Sequence, residues 1–219
     1  GLRRPTEALR SCAKECGVTV TELLAAAMMQ AIDRLQAEKE PRRSHRKPVK
    51  VLIPVNLRNL FPTRTLRNFA SYITPEIDPR MGDFTFREIC AAVHHRMGLE
   101  NNPHTMQAKF AANVASERSP RAAGDAAVRE ESGHEAGVRR SGERKSCLCL
   151  SNLGSVRLPE AMAPYVRRMD FIIGVQAAAP HAAPWCRGTA PPISTASATS
   201  GSRSWSCTFI RCCMNWACR

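Results

Sequence analysis

The 219-residue sequence has no apolar run long enough to span a membrane and opens with no signal peptide. A reducing cytoplasm is therefore the expected compartment. It has no internal repeat, which excludes a solenoid. Its 10 cysteines are too sparse for a stapled mini-fold in a chain of this length. Cys207, Cys212, Cys213 and Cys218 lack the paired knuckle spacing of a zinc centre, so no metal site is expected. Nor is there a Ser/His/Asp or Cys/His set whose members can be placed together, and no catalytic residue is assigned. The opening stretch, GLRRPTEALRSCAKECG, has no initiating methionine, as expected of a truncated piece.

Two segments lack apolar order altogether. Arg121 to Ser141 contains almost no large apolar residue and reads as a solvated linker. The final stretch, SWSCTFIRCCMNWACR, packs four cysteines and two of the three tryptophans into a string with neither helix nor strand period. Out-of-register leucine codons become cysteine and tryptophan codons, which suggests a shifted reading frame. Shifting permitted codons for Ser204 to Arg219 gives LELHFYTLLHELGLP, which is amphipathic. The same operation on His181 to Arg203 gives ACSTVVSRNGTAYINCIRNIREPE, two strands around an Asn-Gly turn. Shifted the other way, the linker reads LRVMPLFVKNLAMKRAFDAA, an amphipathic helix. Residues 120–141 are thus expected to be an out-of-frame insert, and 181–219 an out-of-frame and poorly ordered tail. The alternative is an authentic low-complexity linker and tail.

The net charge of +13 would ordinarily point to nucleic acid or an anionic membrane surface. The suspect segments inflate it with arginine. The remaining basic cluster, PRRSHRKPVK at Pro41 to Lys50, has no interleaved aromatics on which bases could stack. A solvated loop is the favoured reading over a polyphosphate contact, and nucleic acid is not an expected partner.

What is left alternates helices and strands. Thr19 and Glu22 form a capping box ahead of a helix to Ala37, whose face carries Val20, Leu23, Leu24, Ala27, Met28, Ala31, Ile32 and Leu35. Val49 to Arg58 is a β-branched run whose Pro54 suggests an edge or a strand end. Asn68 to Ile77 reads as another strand. Thr85 and Glu88 open a second capped helix, to Met97, with Ile89, Val93 and Met97 on one face. Thr105 to Glu117 continues as a separate helix after Pro103. Ser146 to Gly154 and Arg167 to Gln176 read as strands, the second fit for a sheet interior covered on both faces. Cys12, Cys90, Cys147 and Cys149 fall in apolar patterns as small core residues. The fold class is α/β, or α+β, with a mixed sheet and flanking helices, and residues 1–180 make one modest domain.

VTVTELLAAAMMQAI, VKVLIPVNLRNLFPTRTLRNFASYITPEID, KSCLCLSNLGSV and MDFIIGVQAAAP, in that order, resemble the C-terminal half of the condensation-like, thioester-dependent acyltransferases. Alcohol acetyltransferase-like proteins look nearest, with peptide-synthetase condensation domains and chloramphenicol acetyltransferase more distant. The resemblance covers most of the ordered sequence. It implies one lobe of a two-lobed sandwich with a tunnel between the lobes. An acyl thioester of coenzyme A or phosphopantetheine, the expected co-substrate, enters from one side, and a small alcohol or amine acceptor from the other. No covalently bound cofactor is expected.

In such proteins the histidine of an HHxxxDG motif acts as general base on the acceptor. That motif belongs to the other lobe and is not in this sequence, so the chain by itself is expected to be inactive. His94 and His95 lack the Asp-Gly and lie within a helix, which favours a surface or satisfied role. The resemblance places Ser151, Asn152 and Gly154 of SNLG along the tunnel near the reacting carbonyl, although a plain strand-ending turn would use the same residues. It places Asn56, Arg58 and Asn68 at the crossover between lobes, with Arg58 as a candidate phosphate contact; the alternative is that Asn56 caps a turn and Arg58 is an ordinary surface cation. Arg67 reads as an ordinary surface cation. The competing reading from another class is a non-catalytic basic adaptor for an anionic partner.

Overall fold

The computed structural model describes residues 2–117, 148–155, 158–166, 181–187 and 193–196. Strand β1 (Leu2–Pro5) leads into helix α1 (Thr6–Glu15). Gly17, at a φ of 69°, supplies the left-handed turn that ends α1, and Val18 N–H returns to Ala13 O at 2.9 Å. Helix α2 (Val20–Lys39) follows, with the expected capping box. Thr19 N–H donates to Glu22 Oε2 at 2.7 Å, and Glu22 N–H to Thr19 Oγ1 at 3.3 Å.

The expected apolar stripe understates the burial of α2. Ala25, Ala26 and Met29 are as fully enclosed as Met28 and Ala31. Alanines let neighbours approach on the remaining sides, so α2 packs at once on α1, on helix α3 (Phe86–Glu100) and on strands β2 (Val49–Asn56) and β5 (Leu148–Ser155).

Among the described residues, seven strands form one mixed sheet, in the order β1, β7 (Ile193–Ala196), β6 (His181–Arg187), β5, β2, β3 (Ala70–Ile73), with β4 (Glu76–Ile77) also on β2. The β2–β5 and β5–β6 pairs are parallel, and the β1–β7, β6–β7, β2–β3 and β2–β4 pairs antiparallel. Burial alternates along β2: Val49, Val51 and Ile53 enter the core with α2. The expected strand over 68–77 is β3 and β4, which keep one register on β2 across the break at Thr74 and Pro75.

Pro54 does not mark an edge, since β2 lies between β5 and β3. Val51 N–H and Leu57 N–H donate to Pro75 O and Phe69 O, so the alternate residue Pro54 turns its nitrogen toward the β5 side. There the β5 ladder has already ended, at the Leu52–Cys149 pair, and no donor is needed.

Helix α3 keeps its capping box, Thr85 N–H to Glu88 Oε2 at 2.7 Å, and buries Ile89, Cys90 and Val93. Met97, half-buried, joins that core to a smaller one of Leu57, Ile73 and Met106. Met106 comes from helix α4 (Pro103–Glu117), which starts at Pro103, two residues earlier than expected, because Asn102 Oδ1 caps Thr105 N–H at 2.9 Å.

The tail departs from its expected disorder where it is described. Residues 181–187 and 193–196 are strands, and β6 lies beside β5 with His181 opposite Leu148. Ladder bonds come from the main chain, so a strand position tolerates a sequence without alternation. The linker at 121–141, the strand expected over 167–176, Cys147 and the stretch from Ser204 onward lie outside the described residues.

Candidate functional site

β2, β5 and β6 run parallel, so their carboxyl ends share one end of the sheet. The amino end of α2 meets them there: Asn152 Nδ2 donates to Thr21 Oγ1 at 2.8 Å, tying β5 to the first turn of the helix. Carboxyl ends of parallel strands beside a helix start are where open α/β sheets present ligand-binding groups.

Ser151 is half-buried opposite Pro184 of β6, and Asn152 is exposed opposite Trp185. Gly154 does not terminate the strand, as a plain turn would. β5 continues to Ser155, and its register on β6 shifts between Asn152 and Ser155, so Gly154 lies in a bulge-like irregularity.

On β2, Asn56 is the last residue and is exposed. Its Oδ1 accepts from Arg58 N–H at 3.1 Å, capping the single 3₁₀ turn Leu57–Asn59. The Arg58 guanidinium donates through Nη2 to Thr65 O at 3.0 Å and to Arg67 O at 2.6 Å. It thereby staples the 57–69 loop. Asn68 and Arg67 are exposed on that loop. The fold gathers Asn56, Ser151 and Asn152 at one end of the sheet, with Arg58 and Asn68 on the loop that leaves it.

These groups are neutral donors and acceptors with one committed cation. They can orient a carbonyl or hydroxyl, but none is placed to move a proton. The nearest titratable pair is Glu22, 7% exposed at its side chain, with His94 Nδ1 3.2 Å from both carboxylate oxygens. His94 is thus a satisfied residue on α3 bracing the start of α2, and His95 is exposed. The capping motif marked Glu22 in the sequence. Its partner on α3 and the role of Thr21 had no local signal.

Burial pushes the thiols of Cys90 and Cys149 up, Cys90 to about 12, so both stay protonated at neutral pH as core groups. Among the described residues no cluster of His, Cys, Asp and Glu could hold a metal ion, and no single helix is long and apolar enough to cross a membrane.

The basic loop after α2 is tied down by its own neighbours. Arg43 pairs with Asp83 at 2.5 Å, Arg46 Nε donates to Glu40 O at 3.2 Å, and Lys50 pairs with Glu76. Gln36 brackets Lys47, accepting from its N–H at 2.8 Å and donating to its carbonyl at 3.0 Å. Arg43, Arg46 and Lys50 thus have partners within the chain, whereas the contacts of Lys47 are made by its main chain.

No protein-family profile and no curated protein matches the chain. Solved structures do. The chain is similar over 98% of its length to the condensation domain that mediates chain release from the enacyloxin polyketide synthase, with 17% identity and a TM-score of 0.50, and spans 39% of it. Against the nonribosomal peptide synthetase FmoA3, bound to alpha-methyl-L-serine-AMP, the values are 98%, 15% and 0.58, over 22% of that chain. Against vinorine synthase they are 91%, 10% and 0.50, over 43%. The chain shares the mixed α/β fold of these structures and spans less than half the length of each.

Proposed function

We propose that the chain is the C-terminal lobe of a cytoplasmic, thioester-dependent acyltransferase of the alcohol acetyltransferase-like kind. In the complete protein an acyl group passes from coenzyme A, or from a carrier's phosphopantetheine, to a small alcohol or amine. The observation that carries this reading is the meeting of Asn56, Ser151 and Asn152 with the start of α2 at the carboxyl end of parallel strands. The condensation-type fold supports it.

In this reading the upstream lobe supplies the histidine that takes the acceptor's proton as its oxygen or nitrogen attacks the thioester carbonyl. The carbonyl oxygen gains charge, the C–S bond breaks, and the thiolate leaves with that proton. Ser151 and Asn152 contribute neutral donors facing the developing charge, a role that costs roughly 10²-fold in kcat or more when one donor is lost. The chain alone lacks the base and has no turnover. Residues 120–141 and 181–219 are, on this proposal, read out of frame.

The test is thiol release from acetyl-CoA with a primary alcohol as acceptor. A two-lobed protein carrying an HHxxxDG lobe ahead of this one should release thiol only when acceptor is present. The 219-residue chain should give none, and Ser151→Ala in the two-lobed protein should lower kcat with little change in KM. Acceptor-dependent release by the isolated chain, or full activity of the Ser151 variant, would reject the assignment.

A further inference from the structure

The loop between β2 and β3 is bonded along its length, yet its tip holds a leucine out in solvent. Leu66 is 102% exposed, more than any other large apolar side chain among the described residues. Its neighbours keep it there. Thr65 O and Arg67 O both accept from the Arg58 guanidinium, at 3.0 and 2.6 Å, and Arg67 N–H donates to Thr65 Oγ1 at 3.2 Å. Thr65 N–H in turn donates to Thr63 Oγ1 at 3.3 Å. Behind the tip, the Phe69 ring meets Phe110 of α4 edge-on, with centroids 6.0 Å apart. A loose loop would fold Leu66 back toward Phe61 and Phe69, which pack on the smaller core. Bonds on both sides of Leu66 oppose that collapse.

The charge around Leu66 is of one sign. Arg64 and Arg67 are exposed, and no ion pair among the described residues involves either. No Asp or Glu occurs between Glu40 and Glu76, so nothing on the loop neutralises them. This stretch also lies outside the segments suspected of a shifted frame.

We propose that the tip of this loop docks on an anionic lipid surface, Leu66 entering the boundary between headgroups and acyl chains while Arg64 and Arg67 contact lipid phosphates. A protein partner fits less well. Protein interfaces are anchored by clusters of apolar and aromatic side chains, whereas Leu66 stands alone between polar and cationic neighbours. The loop leaves the end of the sheet where Asn56, Ser151 and Asn152 gather, so docking turns that end toward the lipid. The inference does not depend on the acyltransferase reading.

Vesicle sedimentation tests it. The full chain should pellet with vesicles of equal parts phosphatidylglycerol and phosphatidylcholine, and stay in the supernatant with phosphatidylcholine alone. Leu66→Ser should lower the partition coefficient about fivefold. Arg64→Gln combined with Arg67→Gln should lower it more than about tenfold. The net charge of +13 attracts such vesicles by itself, and a matched control separates that effect. Arg42→Gln with Lys47→Gln removes the same charge from the turn before β2, at the other end of that strand, and should change the partition by less than about twofold. All five positions are exposed, so the variants keep the fold. Failure of the parent chain to bind would overturn the proposal and leave the tip to a protein partner. Equal losses in the two double variants, or an unchanged partition for Leu66→Ser, would overturn it in favour of bulk charge.

Discussion

Arg58 is the residue at which position and chemistry part company. Its place at the end of a strand, in a lobe expected to meet a phosphate-bearing donor, made it a ligand candidate. Its guanidinium instead satisfies Thr65 O and Arg67 O. A planar fork can serve two carbonyls at once, which a lysine ammonium does less well. Arg58→Lys and Arg58→Ala should therefore both loosen the 57–69 loop, each lowering stability by about 1–2 kcal/mol for the loss of hydrogen bonds made by a charged donor. Urea denaturation gives the cost, and limited trypsin digestion should cut sooner at Arg64 and Arg67 in both variants. A Lys variant with unchanged stability and loop protection would return Arg58 to the list of free cations.

At the level of elements, local signals in the sequence coincide with local structure. Both capping boxes were visible because Thr and Glu three residues apart satisfy each other within one turn, and they stand at Thr19–Glu22 and Thr85–Glu88. The helix faces followed from period alone. What escaped depends on distant partners: the all-round burial of α2, the His94 contact to Glu22, and the interior position of Pro54, which only the β5 register explains. Strand β1 has no local signal, because Leu2–Pro5 becomes a strand only by pairing with β7, far along the chain.

The tail is the sharpest case at this scale. Expected to be poorly ordered, it supplies β6 and β7, which stand between β5 and β1. A chain ending at Pro180 loses both and leaves the parallel edge of β5 open. It should elute from a sizing column as aggregate and melt without a cooperative transition, whereas the full chain stays monodisperse. A truncated chain that melted as sharply as the parent would show that the two strands add nothing to the sheet.

For the molecule as a whole, the candidate site was legible only in outline. Short resemblances pointed to Asn56, Ser151 and Asn152, which the parallel strands bring to one end of the sheet, while the composition of the linker and tail obscured what surrounds them. Under the proposed frameshift, the Asn-Gly of the shifted reading, counted forward from His181, falls between the antiparallel strands β6 and β7. The written residues follow that path with few of the alternating apolar side chains that would fix it. Restoring both frames by compensating single-nucleotide changes should therefore strengthen the fold already present. The linker would gain an amphipathic helix with several large apolar residues, each contributing about 1.5–3 kcal/mol if fully buried. A net gain of even a few kcal/mol raises Tm by roughly ten degrees or more in a domain of this size. Differential scanning calorimetry of the written and restored chains decides the matter: a higher and sharper transition in the restored chain is expected. An equal or lower Tm would mean that the polar linker and cysteine-rich tail are the authentic sequence of this fold.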